Sequence, residues 1–429
     1  MTDRRAIPRR EFLKSAVAIG GAAAFSACVG REQVDVPTGP SDPSALPERQ
    51  HAWNDVLPTD DHGNPVAPRH RVLLLLEYGD GTPTASDRET METALRGVER
   101  AYEHGGDGLL ATVSYSPSYF GRFEQSLPEG VDLPAPRALA SFEDPDLDAP
   151  DAVVHLASNH AQVVLGAEQA LTGEADALNG VDQPTAALTD VFEVAERRTG
   201  FVGAGLPAEH DDAEGVPAGE VSEESPLYMG FKSGYEGNQA TEDRVTIREG
   251  PFAGGTTQHL SKITLNLEQW YGQDSRYQRV AKMFCPHHAA AGTVEGVGDN
   301  LGTTTGMDAC KHASDAAREE GVAGHSQKMF RIREDGKPLI LRRDFNSTDG
   351  GHAGLHFLAL QRTIAEFVRT REAMNGQEIA GDSAVGQRNN NGILQYMDVT
   401  NRGNYLVPPR SLRALPPARP TAEVTDAPA

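Results

Sequence analysis

The run Val72-Leu73-Leu74-Leu75-Leu76 restricts the fold more than any other stretch of this chain. Five apolar residues without a polar interruption read as a buried strand. Ser86-Asp87-Arg88-Glu89 has the pattern of a capping box. It predicts a helix to about His104, with Met91, Ala94, Leu95 and Val98 on one face and Gly105-Gly106 ending it. Leu109 to Tyr115 alternates as a second strand, and an acidic, Pro-rich loop follows. Ala152 to Ala157 predicts a third strand, Asn159 the cap of a helix to about Leu171, and Val191 to Arg198 a fourth strand. Two successive βαβ units predict a ferredoxin-like half, an antiparallel sheet with helices on one face.

The second half repeats that order of elements without a sequence repeat. Strands are expected at His259 to Leu267, Leu339 to Phe345, Leu355 to Leu360 and Asn404 to Val407. Helices are expected at about Glu268 to Phe284 and Thr363 to Met374, with a long Gly- and His-containing loop leading to His325. The fold class is therefore α+β, with one ferredoxin-like half over 71–225 and a second over 226–408. The flanks read differently: 29–70 is a Pro-rich, acidic surface tether, and 409–429 a loose, disordered tail.

Residues 1–28 are an address. Arg9-Arg10-Glu11-Phe12-Leu13-Lys14 and the apolar stretch Ala16 to Ala27 look like a twin-arginine export signal. That stretch is shorter than the ~20 apolar residues a membrane span needs. Phe25-Ser26-Ala27-Cys28 resembles a lipoprotein cleavage box, so a lipid on Cys28 is the expected membrane contact and the cell surface the expected location. The chain has 62 Asp+Glu against 39 Lys+Arg, a formal charge of -23, which repels nucleic acid and anionic membrane surfaces. Lys14, Lys232, Lys262, Lys282, Lys311, Lys328 and Lys337 are its only lysines. An acidic, Lys-poor, Arg-rich chain resembles a halophile's protein, in which surface carboxylates keep the molecule hydrated while salt screens their repulsion. Three cysteines in 429 residues exclude a disulfide scaffold.

The stretches with chemical content lie in the second half. Met229-Gly230-Phe231-Lys232-Ser233-Gly234 looks like the "GxxDG" stretch of the dye-decolourising (DyP-type) haem peroxidases. Gly254-Gly255-Thr256 to Trp270 resembles the family's next strand, with its "N-x-E-x-W" ending at Asn266 to Trp270. Ile340-Leu341-Arg342-Arg343 resembles "ILRR", and Gly354-Leu355-His356-Phe357 with Phe367 resembles "GLxF…F". Ala111 to Tyr115 and Tyr119 to Phe123 look like the family's early strand and loop. The resemblance covers roughly 72–407 and implies the DyP-like, dimeric α+β barrel fold.

It also implies haem b as cofactor, hydrogen peroxide and an organic reductant as partners, and a homo-oligomer as one assembly. His325 falls where the family has its iron ligand, with His287, His288 and His312 as rivals. A haem ligand of this kind is a neutral imidazole whose second nitrogen needs an acceptor. Gly230, Phe231, Gly234, Leu355 and Phe357 are the implied cofactor contacts. Arg342 is the implied distal cation, suited to stabilise an oxygen leaving with negative charge. Ser233 stands where the family has a distal aspartate and is a poor proton acceptor near neutral pH. Asp344, two residues beyond Arg342 and so on the same side of a strand, is one replacement acid, and Glu236 is the other. The alternatives are a slower site served by Arg342 and water, or a haem- or iron-handling surface lipoprotein without catalysis. For Cys285-Pro286-His287-His288 and Cys310-Lys311-His312 three readings stay open: copper or zinc binding, one disulfide, or neither.

Overall fold

The structure is a computed structural model that describes residues 35–380 and 384–420. The export signal and the lipidation box lie outside the described residues. The first half contains β1 (His70–Tyr78), α1 (Ala85–Ala101), β2 (Leu110–Tyr115), β3 (Ala152–Ser158), α2 (Ala161–Leu171) and β4 (Phe192–Phe201). The second half begins with β5 (Thr256–Leu265), α3 (Leu267–Gly272), α4 (Arg276–Met283), α5 (Pro286–Ala291), α6 (Ala313–Glu320) and α7 (His325–Met329). It ends with β6 (Leu341–Arg342), β7 (Phe345–Ser347), β8 (Gly354–Gln361), α8 (Ile364–Asn375) and β9 (Met397–Val407).

The strands of the first half lie in the order β4-β1-β3-β2, all antiparallel. Those of the second half lie as β6/β7-β8-β5-β9, again antiparallel. Each half thus has the ferredoxin-like order. The halves join at both edges, β7 to β4 through Asn346 and Phe201, and β9 to β2 through Leu406 and Tyr115. The two sheets close into one barrel, which removes exposed edges.

Closure explains the Val72–Leu76 run. Val72, Leu74 and Leu76 pack outward against Met91, Leu95 and Val98 of α1 and Val163 and Val164 of α2. Leu73 and Leu75 point inward, against Leu260, Leu358, Leu360 and Tyr405 of the other half. Both faces of the strand are buried over this run, so Val72–Leu76 carries no polar residue.

Several boundaries differ from expectation. Thr84, not Ser86, caps α1, in a reciprocal box with Asp87. His160 rather than Asn159 occupies the N-cap of α2, and the Asn159 amide donates to Asp107 instead. The helix expected over Glu268–Phe284 is two helices, because Ser275 starts its own capping box with Gln278. The strand expected from Leu339 to Phe345 breaks at Arg343, whose side chain turns to Glu242 at 2.7 Å.

Both flanks need correction where they are described. The segment before β1 is not a tether. Trp53 is 1% exposed and His51 wholly buried. The Gln50 side chain accepts from the Val113 N–H at 2.9 Å and donates to the Pro408 carbonyl at 2.8 Å. It bridges the seam between β2 and β9, which holds one residue pair among the described residues, Leu406 with Tyr115. The tail is not loose as far as Pro420: Leu412, Leu415 and Ala418 join the first-half core. Tyr115 OH donates to the Arg413 carbonyl at 2.6 Å, and the Arg413 guanidinium pairs with Glu92 at 2.9 Å and with Glu99. A chain ending at Pro409 leaves the partly buried Glu99 without Arg410 or Arg413. Breaking such a pair costs about 3–5 kcal/mol, so thermal unfolding of the truncated chain should begin well below that of the full chain.

Candidate functional site

Strand parity builds the site. Ser261, Ile263 and Leu265 of β5 and Leu355 and Phe357 of β8 are the outward-facing residues of the second sheet, and they line a cavity of about 210 Å³. Met397 and Val399 of β9 line it too. Beyond them Thr400 is an extra residue in the register with β5, where Val399 pairs Ile263 and Asn401 pairs Lys262. This bulge shifts the parity, so Arg402 also reaches the cavity face. The opposite wall comes from Met283 of α4, His325 and Met329 of α7, and Phe367, Arg371 and Met374 of α8.

His325 is held by two close approaches that only glycine permits. A Cβ on Gly324 would meet the Phe284 carbonyl oxygen at 1.8 Å, so this glycine lets α7 start against the end of α4. Gly392, at a φ of 61°, lies where a Cβ would meet the His325 backbone at 3.1 Å. The Nδ1 atom of His325 is buried without a hydrogen-bond partner. Burial, and then the charges of Lys328, Arg342 and Arg371, push its pKa down to about 3. The ring is a neutral imidazole at neutral pH, the state able to donate a lone pair to a metal.

Phe231 and Ser233 enter the cavity from the loop Gly230–Gly234, whose two glycines turn at φ 79° and 84° without lining it. Arg342 and Asp344 both line the cavity, while Arg343 between them turns away to Glu242. Among the described residues the Arg342 guanidinium makes no ion pair or side-chain hydrogen bond; only its backbone N–H is engaged, by Gln239 at 2.6 Å. Its cationic neighbours are committed elsewhere: Arg371 and Arg402 both bind Glu143, at 3.1 and 2.9 Å. Burial pushes the Glu143 carboxyl up, but the hydrogen bonds and charges of the two arginines outweigh it and hold it below the usual range.

The structure therefore brings His325, Ser233, Phe231, Arg342, Asp344, Leu355 and Phe357 to one cavity. Glu236 is not brought there: it is exposed, and its backbone N–H donates to Asn64. His287 and His312 are exposed, and His288 is engaged with Thr305 and the two cysteines. What the sequence reading missed is the methionine content. Met229, Met283, Met329, Met374 and Met397 line the cavity, five of the eight in the chain. They come from five separate segments, so no local pattern announces them. Flexible, polarisable side chains suit an irregular apolar wall. Such a wall with one neutral imidazole donor can hold a planar, largely apolar metal complex.

Residues 68–409 match the model of a family of unknown function designated DUF7405. The chain belongs to this family. No curated protein matches this DUF7405 member. Among solved structures it resembles a dye-decolorizing protein from V. cholerae at 17% identity, with a TM-score of 0.53 over 83% of this chain and 97% of that one. It resembles DyPB from Rhodococcus jostii RHA1 at 16% identity, with a TM-score of 0.55 over 85% and 97%. An encapsulated DyP-type peroxidase from Mycobacterium smegmatis has 15% identity and a TM-score of 0.55 over 84% and 99%. These likenesses show the fold: a mixed α+β chain with the closed antiparallel barrel of DyP-type peroxidases.

Burial holds seven histidines below their ordinary pKa: His51, His104, His155, His259, His288, His325 and His356. Below about pH 6.5 the unfolded chain takes up protons that the folded chain refuses, so stability falls with acidification. Urea midpoints should drop between pH 7 and pH 5. The His325→Leu variant should lose less over that interval, by up to ~1.4 kcal/mol per pH unit for the one proton removed.

Proposed function

We propose that this protein is a haem peroxidase that reduces hydrogen peroxide with an organic electron donor. The observation that carries this reading is the convergence of His325, Ser233, Arg342 and Asp344, from three distant segments, on one apolar cavity. The residues fit a haem. His325 lines the cavity as a neutral imidazole able to ligate iron, although among the described residues its buried Nδ1 lacks the acceptor expected of a haem-ligating histidine. Phe231, Ile263, Leu355, Phe357 and the methionines offer apolar surface to the ring. The Rhodococcus jostii relatives include a DypB variant described in complex with heme.

Bound haem supplies the redox chemistry of the O–O bond. Arg342, uncommitted among the described residues, stabilises the negative charge that develops on the departing oxygen. Asp344 takes the proton from one peroxide oxygen and delivers it to the other. Ser233 positions peroxide by hydrogen bonding but moves no proton. The apolar wall keeps water from competing for the same donors. The Arg9-Arg10 signal and Cys28 support export by the twin-arginine route and lipid anchoring at the cell surface, and the composition supports work in concentrated salt.

One observation favours a second reading, a haem- or iron-handling surface lipoprotein without turnover. Five thioethers surround the cavity, and thioethers near activated peroxide become sulfoxides.

Haemin added to the protein at high salt should give a Soret band that His325→Ala loses or shifts. Arg342→Leu should lower the rate constant for peroxide by about 10²-fold, and Asp344→Asn should lower it with a changed pH profile. No Soret band, or one unchanged in His325→Ala, overturns the ligand assignment. Haem binding with peroxide turnover indifferent to Arg342→Leu leaves the second reading.

A further inference from the structure

Behind the cavity wall lies a cluster that the peroxidase reading does not use. Cys285, His288 and Cys310 bring their donor atoms within 4.8 Å of one another. Cys285 is wholly buried and His288 is 2% exposed. The sulfurs form a disulfide, and His288 Nδ1 lies 3.3 Å from each of them. His288 Nε2 sits 2.8 Å from the Thr305 carbonyl oxygen. A carbonyl oxygen accepts only, so Nε2 carries the proton and Nδ1 carries the lone pair. In the disulfide neither sulfur has a proton to give. The lone pair of a buried imidazole is thus aimed at two atoms that offer it nothing. A fourth soft donor is adjacent: Met307 Sδ lies 3.9 Å from Cys310 Sγ and is itself 3% exposed.

This arrangement has the features of a ligand set. Two thiolates and a thioether are soft donors and the imidazole is borderline, a set that suits Cu+ better than the harder divalent ions. The hydrogen bond from Nε2 to a backbone carbonyl is the outer contact that fixes the tautomer and orientation of a metal-bound histidine. We infer that the reduced chain binds one Cu+ through Cys285, Cys310 and His288 Nδ1, with Met307 as a weaker fourth donor.

The disulfide must open first. It accepts two electrons and two protons from a dithiol reductant, which becomes a disulfide in turn, and yields two thiols. Binding of Cu+ then releases both thiol protons and leaves two Cu–thiolate bonds. The oxidised chain has no thiolate and holds no copper. The site is independent of the haem assignment, since none of its three principal donors lines the cavity.

The test uses full-length protein reduced by a phosphine without oxygen and titrated with Cu+ against a chromophoric chelator. Circular dichroism monitors the fold. The expected result is one Cu+ per chain, bound by the reduced protein and left with the chelator by the oxidised protein and by Cys310→Ser. His288→Ala should weaken binding by at least about tenfold, and Met307→Leu by less. The inference is overturned if the reduced, folded protein leaves all Cu+ with the chelator. It is equally overturned if Cys310→Ser binds as well as the parent, if reduction unfolds the chain, or if the reduced protein takes Zn2+ in preference to Cu+.

Discussion

Glu143 is the residue on which the arrangement of the cavity depends. It sits on the long acidic loop of the first half, where it accepts from the Leu139 and Ala140 N–H groups, yet both of its ion pairs reach the second half, to Arg371 of α8 and Arg402 of β9. Without it two buried guanidinium groups would face the cavity unneutralised. With it those two are neutralised, and Arg342 keeps a guanidinium free of ion pairs and side-chain hydrogen bonds among the described residues, on a mostly apolar wall. The first half takes no direct part in the proposed chemistry, but it supplies the charge that decides which arginine of the second half can take part.

Other buried arginines are neutralised within their own half. Arg198 pairs with Asp148 at 2.7 Å and with Glu196 at 2.6 Å, and Arg343 with Glu242 at 2.7 Å. Both arginine side chains are buried, and each guanidinium has a carboxylate to offset the cost of leaving water. Arginine's planar fork suits this use better than a lysine ammonium. Two of the few lysines, Lys282 and Lys328, are themselves buried, the first on Asp274 and Tyr396 and the second on backbone and Asn391 oxygens. The scarcity of lysine is thus sharper on the surface than in the sequence.

The elements that can be read locally were legible. The Val72–Leu76 run and the alternating strands of both halves follow from periodicity, and their order points to the ferredoxin-like strand sequence; the start of α1 was legible too, but as a box two residues late, at Ser86 instead of Thr84. Motif order placed His325, Ser233, Arg342 and Asp344 together. What was not legible depends on partners hundreds of residues away. Trp53 sits in a polar, Pro-rich stretch whose composition says tether, and its backbone N–H is taken by Glu242 at 2.6 Å. Leu412 and Leu415 look like tail residues until Tyr115 is seen to hold the chain at Arg413 and Leu415. Glu236 was placed by proximity in sequence to Gly234, but the turn at that glycine sends it to the surface.

The extra residue at Thr400 has an evolutionary consequence. Parity along a strand is binary, so the face presented by everything C-terminal to a bulge hangs on its register. Losing Thr400 would straighten β9 and leave Arg402 opposite Ser261, still on the cavity face. Drawing Thr400 into the regular ladder opposite Lys262 would instead slip every later residue by one and turn Arg402 into the barrel. The polarity of this site therefore survives the loss of that codon, and a relative without it can carry the same charge on the same face in an unbroken strand.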